Sequence, residues 1–355
     1  MNSKKIDILN IGLIFISLLL AFKLPFELFL FSYAVLGPLH YLTEINWLRD
    51  RSYFIKDRKW VWMFITVALI ISVPQLAKMP VLGAYAKKTG MSDIAAFISR
   101  YHNIMLLLLL LFAVGLVYFK KNRHVLLSFF VSIIAAVLIL KYLSFTMIVV
   151  AVFLPTIIHV YLFTLLFMLF GALTNKSKPG IAASVFLLLC PLIIFIGKID
   201  ATSYVISDYT MSSFDASSFK IVNAAIARIL SPVKNEGFQL LSPAGLRIQV
   251  FLAFCYTYHY LNWFSKTTVI GWNKILSAKK ITIILMIWIT SIFLYWYNYK
   301  VGFTVLFFLS MIHVVLEFPL NVISIKGILS KLRKPGPGLP ENGINQEQKN
   351  RHSLS

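Results

Sequence analysis

Long apolar runs, separated by short polar and basic stretches, recur along almost the whole chain. They predict ten membrane-spanning helices, near 8–22, 24–48, 60–77, 95–119, 124–144, 145–173, 180–198, 246–265, 281–298 and 301–325. Each run approaches the roughly 20 apolar residues that cross a hydrocarbon layer ~30 Å thick. The first run follows a basic start, Met1–Lys5, as a signal peptide would. The chain then reads AFKLPFE, with no small-residue cleavage site, so the run is expected to be retained. The expected fold class is all-α, a polytopic transmembrane helix bundle over residues 1–325.

Composition agrees with the pattern. Of 355 residues, 59% are hydrophobic and only 13% charged, and the mean hydropathy is +0.80. A soluble domain of this length is far more polar. The net charge of +21 raises the question of nucleic acid. The basic residues are scattered among short connections, however, and every connection on one side is basic: Lys4–Lys5, Arg49–Lys59, Lys120–Arg123, Lys176–Lys178, Lys266–Lys280 and the tail from Lys326. That is the positive-inside pattern, so no nucleic-acid partner is expected. It predicts both termini on the cytoplasmic side of a bacterial inner membrane, with membrane lipids as the surroundings. Residues 199–245 become the one long external loop, whose 216–230 portion reads as an amphipathic helix on the membrane surface or over a cavity, or as a plain connector. The Pro/Gly-rich tail 326–355 is expected to be a disordered cytoplasmic segment. Cys190 and Cys255 lie in apolar runs with no metal-type spacing.

Histidine changes the picture. His124 stands at the basic edge of the fifth run and His352 in the tail, but His40, His102, His159, His259 and His313 fall in the second, fourth, sixth, eighth and tenth. All five therefore sit on helices crossing in one direction. From the outer ends, His40 is about 16 residues in, His159 about 14, His259 about 13 and His313 about 12, differences of a few ångströms at ~1.5 Å per residue. His102 comes level if its helix begins at Ser92, in MSDIAAF. The five imidazoles are expected to share one layer near mid-membrane.

Carboxylates join them. Glu44 follows His40 by four in HYLTE, and Glu317 follows His313 by four in HVVLEFPLN. Positions i and i+4 share a helix face, so each pair aims a nitrogen and an oxygen the same way. Asn262 and Asn321 extend these polar faces, and Tyr41, Tyr256 and Tyr260 offer hydroxyls nearby. Pro38, Pro155 and Pro319 stand close to His40, His159 and Glu317 and predict bent backbone there. There is no H-E-x-x-H helix, no desaturase-like His box, no phosphate loop and no G-x-S-x-G elbow.

One intramembrane histidine is most often a packing residue, and one His/Glu pair can simply neutralise itself. Five histidines and two carboxylates on separate helices point instead to a shared centre. Neutral imidazole with carboxylate suits iron, manganese or zinc, and bundles build such centres from facing helices. The metal ligands expected are His40, His102, His159, His259 and His313, with Glu44 and Glu317 as ligands or as partners that orient the imidazoles. Iron is the expected cofactor, with haem or zinc as alternatives.

The segment CYTYHYLNWFSK, residues 255–266, is similar to the late-helix His-Tyr segment of the membrane-bound beta-carotene dioxygenases of the Brp/Blh type. The resemblance covers mainly the late helices. It implies a multi-span oxygenase whose non-haem iron is held by single histidines on separate helices, here His40, His159, His259 and His313. The chain departs from that family in its ten expected spans, its fifth histidine and its two H-x-x-x-E units. The substrate expected is therefore an apolar lipid, whether carotenoid, isoprenoid or acyl chain. Two other functions fit the same residues: a bis-His haem protein moving electrons across the membrane, and a proton- or ion-coupled transporter with a His/Glu relay.

Overall fold

The computed structural model describes residues 3–50, 58–200, 204–217, 219–230, 238–266 and 277–333. All the regular elements among them are helical: α1 Ser3–Lys23, α2 Pro25–Phe31, π1 Ser32–Leu36, α3 Gly37–Asp50, α4 Arg58–Leu76, α5 Pro80–Lys88, α6 Met91–Tyr118, α7 Asn122–Tyr142, α8 Ser144–Ile148, π2 Val149–Phe163, α9 Thr164–Thr174, α10 Lys178–Ile196, α11 Asp208–Ala216, α12 Lys220–Leu230, α13 Pro243–Ser265, α14 Ala278–Tyr297 and α15 Tyr299–Leu332. Side-chain caps set several starts. Ser177, Ser242, Ser277 and Asn298 each accept the backbone N–H three residues on, opening α10, α13, α14 and α15. Pro179 and Pro243 occupy first-turn positions, where no N–H is needed.

Among the described residues nine helices are long and apolar enough to cross a membrane. They coincide with nine of the ten expected spans. The tenth, α13, is not among them, and its place in the bundle explains why. From Ile248 to Tyr260 every residue of α13 is buried, so it meets protein rather than lipid and can carry Gln249, Thr257, His259 and Asn262. The outer helices show the reverse pattern. On α7, Leu127, Phe130 and Ile134 are exposed while Ser132 and Ala136 are buried. Apolar outside and small or polar inside is the arrangement a lipid solvent selects. The molecule is an all-α bundle of the multi-pass membrane type.

Two apolar cores flank the centre. One gathers α1, α2, α10 and most of α13, and the other gathers α4, α6, α7 and the middle of α15. Between them stand α3, π2, α13 and α15. Paired contacts advance in the same sense along α13 and its partner: Ser32 with Thr257, Tyr41 with Tyr260, Trp47 with Trp263. α3 and α13 therefore run parallel, as spans of equal parity should.

Two details were not expected from the sequence, and between them stands one of the alternatives the sequence left open, a helix within 216–230. The backbone widens to π geometry one turn before His40 and around His159. Pro155 lies inside the second stretch; a proline removes one backbone bond and crowds the preceding turn, and a wider turn relieves that crowding. The 199–245 segment contains α11 and α12, which fold back onto the bundle. Phe214 packs on Phe26 and Phe29, and Asn223 donates to Gln249, which donates to the Pro25 carbonyl. The segment is thus a cap over one end of α2 and α13. Finally, α15 continues to Leu332, past its expected end at 325, while residues 334–355 of the expected tail lie outside the described residues.

The charge pattern makes a topology prediction. Reporter fusions at Lys5 and after Arg333 are expected to read cytoplasmic, and one at Asp215 external. A cytoplasmic reading at Asp215 would break the ten-crossing arrangement and the shared direction of the histidine helices.

Candidate metal centre

Four of the five intramembrane histidines meet between the two cores. His40 lies on α3, one turn past π1; His159 on π2; His259 on α13; His313 at the middle of α15. They are 1%, 2%, 5% and 1% exposed. Their ring centroids stand 4.6 Å apart for His40–His259, 4.7 Å for His40–His313, 4.6 Å for His159–His313 and 5.0 Å for His159–His259. The Nε2 atoms converge further. His40 and His313 are 3.0 Å apart, His159 and His313 3.1 Å, and His259 and His40 3.1 Å. Glu44 enters the same point, its Oε2 3.1 Å from His40 Nε2 and 3.3 Å from His313 Nε2.

Hydrogen bonding does not account for this cluster. Every one of the five contacts involves Nε2 of His40 or of His313, and a ring nitrogen has one proton or one lone pair to offer. At most two of the five can be hydrogen bonds. The far sides of the rings tighten the argument. When the Thr164 hydroxyl serves its own-helix acceptor, the Val160 carbonyl at 3.0 Å, its oxygen accepts from His259 Nδ1 at 2.7 Å. His313 Nδ1 faces the Ser310 carbonyl, which can only accept. Both rings thus carry their proton on Nδ1 and present an Nε2 lone pair inward. Lone pairs converging in a buried site call for a cation. Glu44 Oε2 and His40 Nδ1 are buried without a hydrogen-bond partner.

The two carboxylates, alike in sequence, act differently. Glu44 stays beside its own His40 and bridges to His313. Glu317 turns away from Nε2 of its own His313 and places Oε2 2.9 Å from Nδ1 of His159, off the line of a hydrogen bond. It addresses the outer edge of that imidazole. Its oxygen still comes within ligand range of His159 and His313, so a second set of three candidate ligand atoms, within 4.8 Å of one another, exists beside His40, His259 and His313.

His102 does not join the centre. It is half-buried on α6 with Nδ1 2.7 Å from its own helix carbonyl at Ser99. The helix does start early, at Met91, which satisfies the depth condition. α6 packs on α15 and π2, which carry His313 and His159, but the His102 ring lies against its own helix, so equal depth brings no meeting.

The surroundings are partly legible in the sequence. Tyr41 and Tyr260 share a hydroxyl contact of 2.9 Å, and Gly37 leaves the space for it, since a Cβ there would stand 3.1 and 3.2 Å from the two oxygens. On the other side Trp47, Trp263 and Leu320 form a floor, with Trp263 donating to Thr43. Thr164 and the Ser310 carbonyl, which fix two imidazoles, carried no sequence signal beyond their spacing. The space left among His40, Glu44, His259, Asn262 and Glu317 is about 20 Å³, enough for one ion or one water. Compared with protein-family models, with curated proteins and with solved structures, the chain matches none.

Proposed function

We propose that this protein is an integral-membrane, non-haem iron oxygenase acting on an apolar lipid, carotenoid or isoprenoid substrate within the bilayer of the bacterial inner membrane. The observation that carries the reading is the convergence of four imidazole nitrogens and one carboxylate oxygen in a buried site that hydrogen bonds cannot satisfy. Imidazole nitrogen with carboxylate oxygen suits iron, manganese or zinc, and the oxygenase reading takes iron. A bis-His haem would hold its two nitrogens about 4 Å apart across a flat macrocycle, and a space of about 20 Å³ has no room for one.

Bound iron would supply the activation of dioxygen. The chain's own residues do the rest. Thr164 and Ser310 orient two ligands, and Glu317 bears on a third. Glu44 offsets cationic charge and can hold a proton at Oε2. Trp47, Trp263, Leu320 and Phe167 keep bulk water out.

Elemental analysis and absorption of the purified protein test the reading. About one iron per chain is expected, with no Soret band and with dioxygen uptake that stops when the iron is removed. A Soret band, or stoichiometric zinc, overturns it; no metal at all favours the transporter.

A further inference from the structure

A second cavity, of about 210 Å³, lies along the same seam of α9 and α13. Its walls are Ile6, Phe167, Met168, Phe170 and Ala172, with Asp7 and Lys266 as its charged members. It is in file with the metal centre. Along α13 the series His259, Asn262, Lys266 steps from one to the other, and along α9 the series Thr164, Phe167, Phe170 does the same. Phe167 lines both spaces.

Lys266 sits at the end of α13, half-buried, with its ammonium 5.0 Å from the centre of the Phe167 ring. No carboxylate among the described residues comes within ion-pair distance. Asp7, which lines the same cavity, accepts from Ser177 at 2.5 Å. Burial pushes the Lys266 ammonium down to about 8, opposed by the pull of Asp7. An ammonium facing an apolar cavity, with a ring on one side and, among the described residues, only the longer-range pull of Asp7 on the other, is a site for an anion joined to a hydrocarbon. The volume is below the roughly 300–1,000 Å³ of a pocket for a whole drug-sized ligand, so it fits a head and its first carbons. Asn262 Oδ1, buried and without a hydrogen-bond partner on the metal side of Phe167, leaves a polar position further along the same path.

We propose that this cavity binds the anionic head, carboxylate or phosphate, of a single-chain amphiphile at Lys266, and that Phe167 is the movable wall between the bound chain and the metal centre. The second half rests on the metal-centre reading; the first half does not. The test uses the full-length protein in phosphatidylcholine nanodiscs, with radiolabelled oleate and oleyl alcohol as probes. Oleate is expected to bind about tenfold or more tightly than the alcohol, with Lys266→Met losing that preference and Lys266→Arg keeping it. Competition by oleoyl lysophosphatidate stronger than by unlabelled oleate assigns the head to a lipid phosphate, and the reverse order to a free fatty acid. Oleate bound equally well by folded Lys266→Met overturns the site. For the wall, phenanthroline should strip metal about tenfold faster from Phe167→Ala and more slowly from Phe167→Trp, from equal starting metal contents. An unchanged rate in Phe167→Ala overturns the wall. A protein that holds no metal but binds oleate through Lys266 refutes the metal reading and leaves the amphiphile site standing.

Discussion

Replacing His313 with alanine is expected to leave the protein with less than about a tenth of the parent's metal and no oxygen uptake. His313 is the hub of the cluster: its Nε2 meets His40, His159 and Glu44 at 3.0, 3.1 and 3.3 Å. A structural metal site of four ligands is worth about 10–16 kcal/mol, so one ligand accounts for about 2.5–4 kcal/mol, or about 10²–10³ in affinity. Losing the hub also frees its neighbours to turn, which adds to the loss. The readout is metal per mole of monodisperse protein, taken with thermal stability. His102→Ala and His124→Ala are the controls and should keep full metal, because neither ring reaches the centre. If His313→Ala keeps its metal, the four rings are a packing network and the oxygenase reading falls with them.

The helices were readable because a lipid solvent leaves a strong signal: about twenty largely apolar residues in a row, on nine occasions among the described residues. α13 was read as an apolar run like the others, although its interior position lets it carry the Tyr, His and Asn residues that lower its hydropathy. Four site histidines followed from parity and depth, since helices crossing in one direction place equal counts at equal heights. The same logic misplaced His102, because depth says nothing of where on a helix a side chain is directed, and this ring lies against its own helix. Pro155 hinted at irregular backbone near His159, but not at a π stretch running from Val149 to Phe163. Thr164 was invisible as a site residue because its role comes from a contact with His259, 95 positions away. Lys266 counted only as topology; its second meaning depends on where Phe167 and Asp7 lie.

The two carboxylates give the sharpest test, because sequence and structure disagree about them. Spacing alone makes Glu44 and Glu317 equivalent, so Glu44→Gln and Glu317→Gln should then fail alike. The structure separates them. Glu44 Oε2 faces two metal-side nitrogens, His40 and His313, so glutamine there removes charge from the coordination point itself. Glu317 Oε2 faces the outer Nδ1 of His159, so glutamine there weakens only an orienting contact. A supporting partner of this kind typically costs about 10–100-fold in metal affinity or activity when lost. Glu317→Gln is expected within that range, and Glu44→Gln beyond it. Glu317→Gln leaves the four Nε2 atoms and Glu44 in place, so its metal should return as free iron is raised. Glu44→Gln should stay depleted at the same iron concentration and also lose oxygen uptake per bound iron. Equal losses in the two variants would restore the symmetric reading and place Glu317 on the metal as well. Full metal and full activity in both would make HYLTE and HVVLE ordinary packing pairs, with the negative charge of the centre left to another group.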